Sequence, residues 1–525
     1  MSKQSFKKLA SCLLLMLLMF LVVSCSGNSE PANNNNNSAN MNISPVNNNQ
    51  AAKEPQYGGT LKMIGTASAL NLGHPTEGDY ASVYPAVEPL LAVSDERELE
   101  GVLAKAWEED PDNLTITFYL QEGIKFHDGS DFNAEVAKWN FEIAAERYRL
   151  RFFDHIDRIE AVDDYTLVIH INQWHNQIIE EWGIKQMFSK QAWETHDESW
   201  FSTNVVGTGP FKLEEFVRDS HIYWVKNEDY WQEGYPYLDR IEIIDIPEPT
   251  TAAAAFEAGE ARAWLNADNQ YAREFVDKGY VRNEGWAGMQ TVILFNNAEG
   301  ELFSDKRLRE AVEYAIDKQA ISDALGYGFS EPIYAVAPPG DWGGHFKWRD
   351  YDPEKAKQLL QEAGYNGEEV ILLASNAGGR NDMAEAIYNY LRAVGFNVKI
   401  DLADLGRFGQ ALYNDGWKHL ALSIAGQDTN YLTSIQRWWG HDGTLSISFI
   451  RPAELIEMSR ASLLARTTDE KKAWAEKIVK YIGDEALVIP ILNQPSGFLH
   501  DGTVHTSYPK QGFTRWKMHE MWIEP

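Results

Sequence analysis

Cysteine is nearly absent. The 525 residues contain two, Cys12 and Cys25, both so close to the start that the body of the chain can hold neither a disulfide nor a cysteine metal site. Catalytic signatures are missing too. There is no HExxH, no G-x-S-x-G, no GxxxxGK(S/T), and no GxGxxG between a strand and a helix. The 13 histidines are scattered: His170, His175, His419, His441, His500 and His505 never pair at a metal-ligand spacing on one helix. Positive charge is scarce, with 47 Lys and Arg against 77 Asp and Glu. A net charge of −30 argues against nucleic acid and against adsorption to anionic lipid. Carboxylate pairs abound in so acidic a chain, and no pattern separates an acid/base pair from solvated charge.

What is present begins with an address. Lys3, Lys7 and Lys8 form a basic segment, and residues 9–23 an apolar run too short to span a bilayer comfortably. The run ends in Leu21-Val22-Val23-Ser24-Cys25, which resembles a lipobox, with Cys25 as the lipidated mature N-terminus; the alternative is an ordinary signal peptide with an incidental cysteine. Two or three acyl chains, at about 0.8 kcal/mol per buried CH₂, anchor stably where one does not. Without the three leader lysines the net charge becomes −33. The Asn/Ser-rich stretch that follows has almost no large apolar residues to offset the entropy of ordering, so it reads as a tether. A tethered lipoprotein suits the outer face of a cytoplasmic membrane, as in a Gram-positive cell.

The body is organised around residues 206–246, VGTGPFKLEEFVRDSHIYWVKNEDYWQEGYPYLDRIEIIDI. Gly207, Gly209 and Pro210 signal a turn. Two apolar runs, 210–216 and 221–225, read as a hairpin, and residues 240–246 as a third strand after an aromatic loop. Upstream, residues 58–64 (GGTLKMI) read as a strand; residues 114–120 alternate with Leu114, Ile116, Phe118 and Leu120 on one face; Asn133 caps a helix with Val136, Trp139 and Ile143 on its buried side. Downstream, residues 250–260 and 305–325 read as helices, and Asp352-Pro353 opens another that Gly364 ends. A helix over 383–394 and a strand over 396–402 repeat the alternation of an α/β lobe. Residues 419–425 and 487–492 complete the strands.

The order G-x-G-P-(F/Y), then N-x-x-Y-W, then L-D-x-I resembles the family 5 extracellular solute-binding proteins, the peptide, nickel and opine receptors of ABC importers. Gly58-Gly59-Thr60-Leu61, the "FN" of Phe295-Asn296 and the helix REAVEYAIDK within 305–325 resemble further family elements. The resemblance implies an α/β, periplasmic-binding-protein-like fold of type II, cluster C-like. It has two main α/β lobes joined by a hinge and a smaller inserted lobe. Expected boundaries are a leader over 1–24, a tether over 25–56, lobe I over 57–95, 204–295 and 488–525, lobe II over 96–203 and lobe III over 296–487.

The resemblance also nominates a binding site. In peptide-binding relatives an aspartate after the strand matching 419–425 takes the ligand's α-ammonium, and Asp428 stands there, flanked by Gln427 and Tyr431. The turn is shorter than the family's and lacks its proline, and Asp428 could instead cap it. Arg380 lies close to where dipeptide-binding relatives place a carboxylate-binding arginine; a guanidinium fork matches a carboxylate bidentately. Trp438 and Trp439 could stack on a ligand or pack the lobe. Ser68 and Asn71, in the loop after the first strand, and Trp286 with Met289, before the "FN" strand, are further candidates.

The expected function is capture without catalysis. A short peptide or amino-acid conjugate binds in an interlobe cleft, the lobes close, and a monomer without cofactor delivers its ligand to importer permease subunits. An oligosaccharide is the alternative ligand, a nickel chelate the next, and a sensory co-receptor would share the fold. A hydrolase lacks its motifs.

Overall fold

The computed structural model describes residues 53–525, apart from 78–81, 148–150, 377–379, 427–430, 441–445 and 511–514 and the side chains of 286–289. The leader, Cys25 and most of the tether, together with Gln427 and Asp428, lie outside the described residues.

The largest sheet has eleven strands, and two of them, Val281–Phe295 and Val488–His500, run antiparallel through its middle. The second is far longer than the six residues 487–492 that its apolar run suggests, because the polar Asn493, Gln494 and Ser496 continue the ladder. One half of the sheet carries the strand Thr60–Ile64, parallel to Arg240–Ile244, and the hairpin Phe211–Val217 with His221–Lys226. Leu61, Phe211, Trp224 and Ile241, all at 0 % exposure, form its core. The other half carries the parallel strands Glu369–Ser375, Asn397–Ala403 and Leu420–Ala425. Helices cover both of its faces, one core containing Ile293, Leu308, Leu372 and Ile387, the other Val292, Ala421, Ile435 and Val479. A four-stranded sheet, Ala104–Asp110, Thr115–Leu120, Ile156–Asp163 and Thr166–Ile171, packs with the helix Ala134–Glu146 around Phe118, Phe141 and Trp182.

Three local expectations change. The helix expected over 305–325 is two, Lys306–Ala315 and Lys318–Leu325. Ile316 is extended, and Asp317 accepts a hydrogen bond from the Ala320 N–H, so an N-cap interrupts what its apolar spacing alone would continue. The helix capped by Asn133 buries Ile143 as expected, but its centre is Ala137, Phe141 and Ala144, with Val136 and Trp139 half-buried, so the inner stripe is partly rotated from the expected one. Gly207 and Gly209 have no positive φ. They are required for proximity: a Cβ on Gly207 would strike the Ala86 carbonyl, and one on Gly209 would sit 2.6 Å from the Pro85 carbonyl. That close approach lets Gly209 and Phe211 donate to the Ala86 and Pro85 carbonyls at 2.9 and 3.0 Å.

The small sheet's domain also touches the distal half directly. The Asn176 N–H donates to Leu463 O at 3.0 Å, and its side-chain amide to Ser462 O and Ala465 O at 2.8 and 3.0 Å. Glu180, 6 % exposed, accepts from the Thr433 hydroxyl at 2.7 Å and pairs with Lys471 at 3.2 Å. Arg97 pairs with the buried Asp341.

Candidate ligand-binding site

Parallel strands leave a crevice outside their carboxyl ends, where the connections to neighbouring helices diverge. Here those ends are Ser375 and Ala425, followed by the helices Arg380–Val394 and Tyr431–Trp438. Arg380 therefore lies within its helix, in the first turn, and not ahead of a helix starting at Met383. The helix dipole disfavours a cation there and favours an anion. Arg380 is only 8 % exposed, and among the described residues neither Nη1 nor Nη2 has a hydrogen-bond partner. Burial lowers its pKa from the ordinary arginine value, and Tyr413 opposes that shift. A guanidinium so placed stays charged at neutral pH.

Tyr413 was not apparent from the sequence as a site residue. Its phenol is pushed up by burial and pulled back by Arg437 and Arg380, so both guanidinium groups act on one hydroxyl. Nothing in the local sequence LYND marks it, since the convergence is tertiary. Arg437 also lies over the Trp438 ring, 5.8 Å from its centroid. Trp438 is half-buried with its indole N–H unpartnered.

Tyr431 and Trp439 are placed differently. Each is 2 % exposed in the core on one face of the sheet. The Tyr431 hydroxyl donates to the Val336 carbonyl, and Trp439 packs edge-on against Phe449 at 5.9 Å. Ser68 and Asn71 are half-buried in the other half of the molecule; Asn71 contacts Glu77 and Ser202 at 3.4 and 3.3 Å. Among the described residues no hydrogen bond joins them to Arg380 or Trp438. Trp286 and Met289 belong to the strand Val281–Phe295, where pairing with the partner strand is irregular between Gly285 and Met289. Arg380, Tyr413, Arg437 and Trp438 are thus linked through the Tyr413 hydroxyl and the Trp438 ring into a positively charged, partly aromatic cluster whose charge suits an organic anion.

Residues 98–445, well over half of the chain, match the model for bacterial extracellular solute-binding proteins, family 5 (middle). The chain is 31% identical over 341 residues to the glutathione-binding protein GsiB of Escherichia coli O1:K1 / APEC, covering 63% of this chain and 66% of the relative, just under two thirds of its length. The periplasmic binding protein DppA of Helicobacter pylori, in complex with the peptide STSA, superposes with a TM-score of 0.74 at 23% identity, covering 90% of this chain and 99% of that one. NikA of Brucella suis, in complex with Fe(III)-EDTA, gives 0.79 at 19% identity, covering 89% and 100%. These two likenesses establish the α/β, type II periplasmic-binding-protein-like fold.

Proposed function

Because the chain belongs to the bacterial extracellular solute-binding proteins of family 5, which serve ABC importers and are not enzymes, we propose that it is a lipid-anchored receptor for a short peptide or amino-acid conjugate. The observation that carries this reading is the buried Arg380 guanidinium, which has no partner on either terminal nitrogen among the described residues. Leaving a buried charge unpaired costs several kcal/mol, and a ligand carboxylate removes that cost on binding. Arg437 and the dipole of the Arg380–Val394 helix add to the same potential. Relatives named for glutathione, a tripeptide conjugate with two carboxylates, fit this chemistry. Asp428 remains our choice for the ligand's ammonium group, with Gln427 beside it. Cys25 is proposed as the lipid anchor on the outer face of a Gram-positive membrane, and the three lobes are proposed with the boundaries given above.

An oligosaccharide is the second reading, favoured by the half-buried Trp438 ring. Burial of Trp439 leaves it one aromatic platform instead of two.

Native mass spectrometry of the freshly purified body tests the proposal. A co-purifying peptide-sized mass that disappears with Arg380→Met but survives Trp438→Ala supports it. A hexose-spaced series lost only with Trp438→Ala would replace it with the sugar reading.

A further inference from the structure

The two long central strands carry a recess of their own, outside the Arg380 cluster. A cavity of about 330 Å³ opens against Glu284 and Gly285 of one strand, Asn493 of the other, and Ser330, Glu331 and Lys510 from flanking segments. Its back wall is tightly fixed. Gly285 is pressed against the 508–509 segment so closely that a Cβ there would strike the Pro509 carbonyl. Glu331 pairs with Asn493 in the ladder.

The polar groups lining this cavity are mostly acceptors without donors. Asn493 is 3 % exposed; its Nδ2 donates to Glu331 Oε1 at 3.3 Å, while its Oδ1 has no partner among the described residues. The Ser330 hydroxyl is also buried and unpartnered. Burial raises the Glu284 carboxyl, Arg282 opposes that shift, and Glu331 adds to it. The nearby guanidinium groups are engaged elsewhere. Arg282 donates to Asn269 and to the Pro495 carbonyl and lies 3.9 Å from the Phe329 ring centroid. Arg273 donates to the Tyr327 carbonyl and also lies over Phe329. Lys510 is exposed at the rim, and among the described ion pairs it joins neither carboxylate.

We infer that this cavity is a binding site for a primary alkylammonium group, whose three N–H donors meet Glu284, Glu331 and the free Asn493 Oδ1. Asn493 pairs with Gln290, which pairs with Ala425, the last residue of the strand that leads to Asp428. Two strand spacings, roughly 10 Å, therefore separate the cavity from the end of that strand. The ammonium can belong to a basic arm of the captured solute or to a free amine. The inference does not depend on the peptide reading, because Arg380 takes no part in the cavity.

The test uses the full folded body and cadaverine as probe, with 1,5-pentanediol and glutarate as neutral and anionic isosteres, followed by saturation-transfer NMR. The expected result is saturable binding of cadaverine alone, weakened at least tenfold in Glu284→Gln/Glu331→Gln and strengthened in Lys510→Gln. The opposite sign in the last variant separates the site from loss of folding. Displacement of cadaverine by a lysine-containing peptide, but not by its norleucine analogue, assigns the ammonium to the solute; no displacement by either assigns it to a free amine. Equal binding of cadaverine and pentanediol, or cadaverine binding unchanged in the double variant, overturns the inference and leaves only non-specific attraction to an acidic chain. If no peptide co-purifies and Arg380→Met changes nothing, the peptide reading fails, while saturable cadaverine binding still stands on its own.

Discussion

Replacing Lys471 by Met should loosen the contact between the small domain and the distal half without unfolding either. Lys471 reaches Glu180 at 3.2 Å, and the two side chains are 16 % and 7 % exposed. Breaking a buried pair by removing one partner costs roughly 3–5 kcal/mol. The Thr433 hydroxyl still serves Glu180 in the variant, so the lower end applies, about 3 kcal/mol. Glu109 adds to the effect: burial already raises its carboxyl, Lys471 opposes the shift and Glu180 worsens it. Without the lysine, its attraction no longer offsets the repulsion between the two carboxylates. The reporter is the Asn176 amide, whose N–H donates across the contact to Leu463. A loss of about 3 kcal/mol should lower its protection from hydrogen exchange on the order of 100-fold. Amides within the helix Ala134–Glu146 should keep theirs. Unchanged protection at Asn176, or an equal fall in that helix, would refute the reasoning.

Other perturbations test the frame around the site. Glu88 is fully buried and accepts from Thr208, Tyr230 and the Trp231 indole at 2.8–2.9 Å while pairing with Arg515. Glu88→Gln strands the Arg515 charge and should cost about 3–5 kcal/mol in urea unfolding; a loss below about 1 kcal/mol would show that the charge is solvated. Gly207→Ala should cost more than about 2 kcal/mol, because the backbone it meets cannot move aside like a flexible side chain. The His127 and His500 imidazoles are both held down at about 4, burial being the main cause. A depressed folded value means protonation favours unfolding, so their contribution is complete above about pH 6.5 and falls away towards pH 4, by up to roughly 3 kcal/mol each. Urea midpoints measured across that window should decline, and His127→Gln should flatten the slope.

The order of turn, hairpin, aromatic loop and strand was legible because alternation and turn chemistry are local. The Asn133, Asp352 and Gly364 helix boundaries were legible for the same reason. The break at Asp317 was not, because an aspartate inside an apolar repeat reads equally as a surface position or as a cap. At the candidate site, the resemblance to dipeptide-binding relatives pointed to Arg380, but only the structure reveals that the guanidinium is buried and, among the described residues, unpartnered. Tyr413, Glu180 with Lys471, and Asn493 acquire meaning from partners far away in sequence. Trp438 and Trp439 are adjacent in the chain, yet helical geometry turns one into the core and leaves the other half-buried.

The most direct test of the account is to measure Arg380→Met in two ways, as stability without ligand and as affinity for the peptide that co-purifies with the wild-type chain. If the unpaired guanidinium is held for a ligand carboxylate, the variant should be more stable than wild type by about 1–3 kcal/mol when empty, and should bind the peptide roughly 100-fold more weakly, the loss of one charge-assisted contact. An empty variant less stable than wild type, with affinity unchanged, would show that Arg380 belongs to the scaffold and that the ligand's anion is held elsewhere.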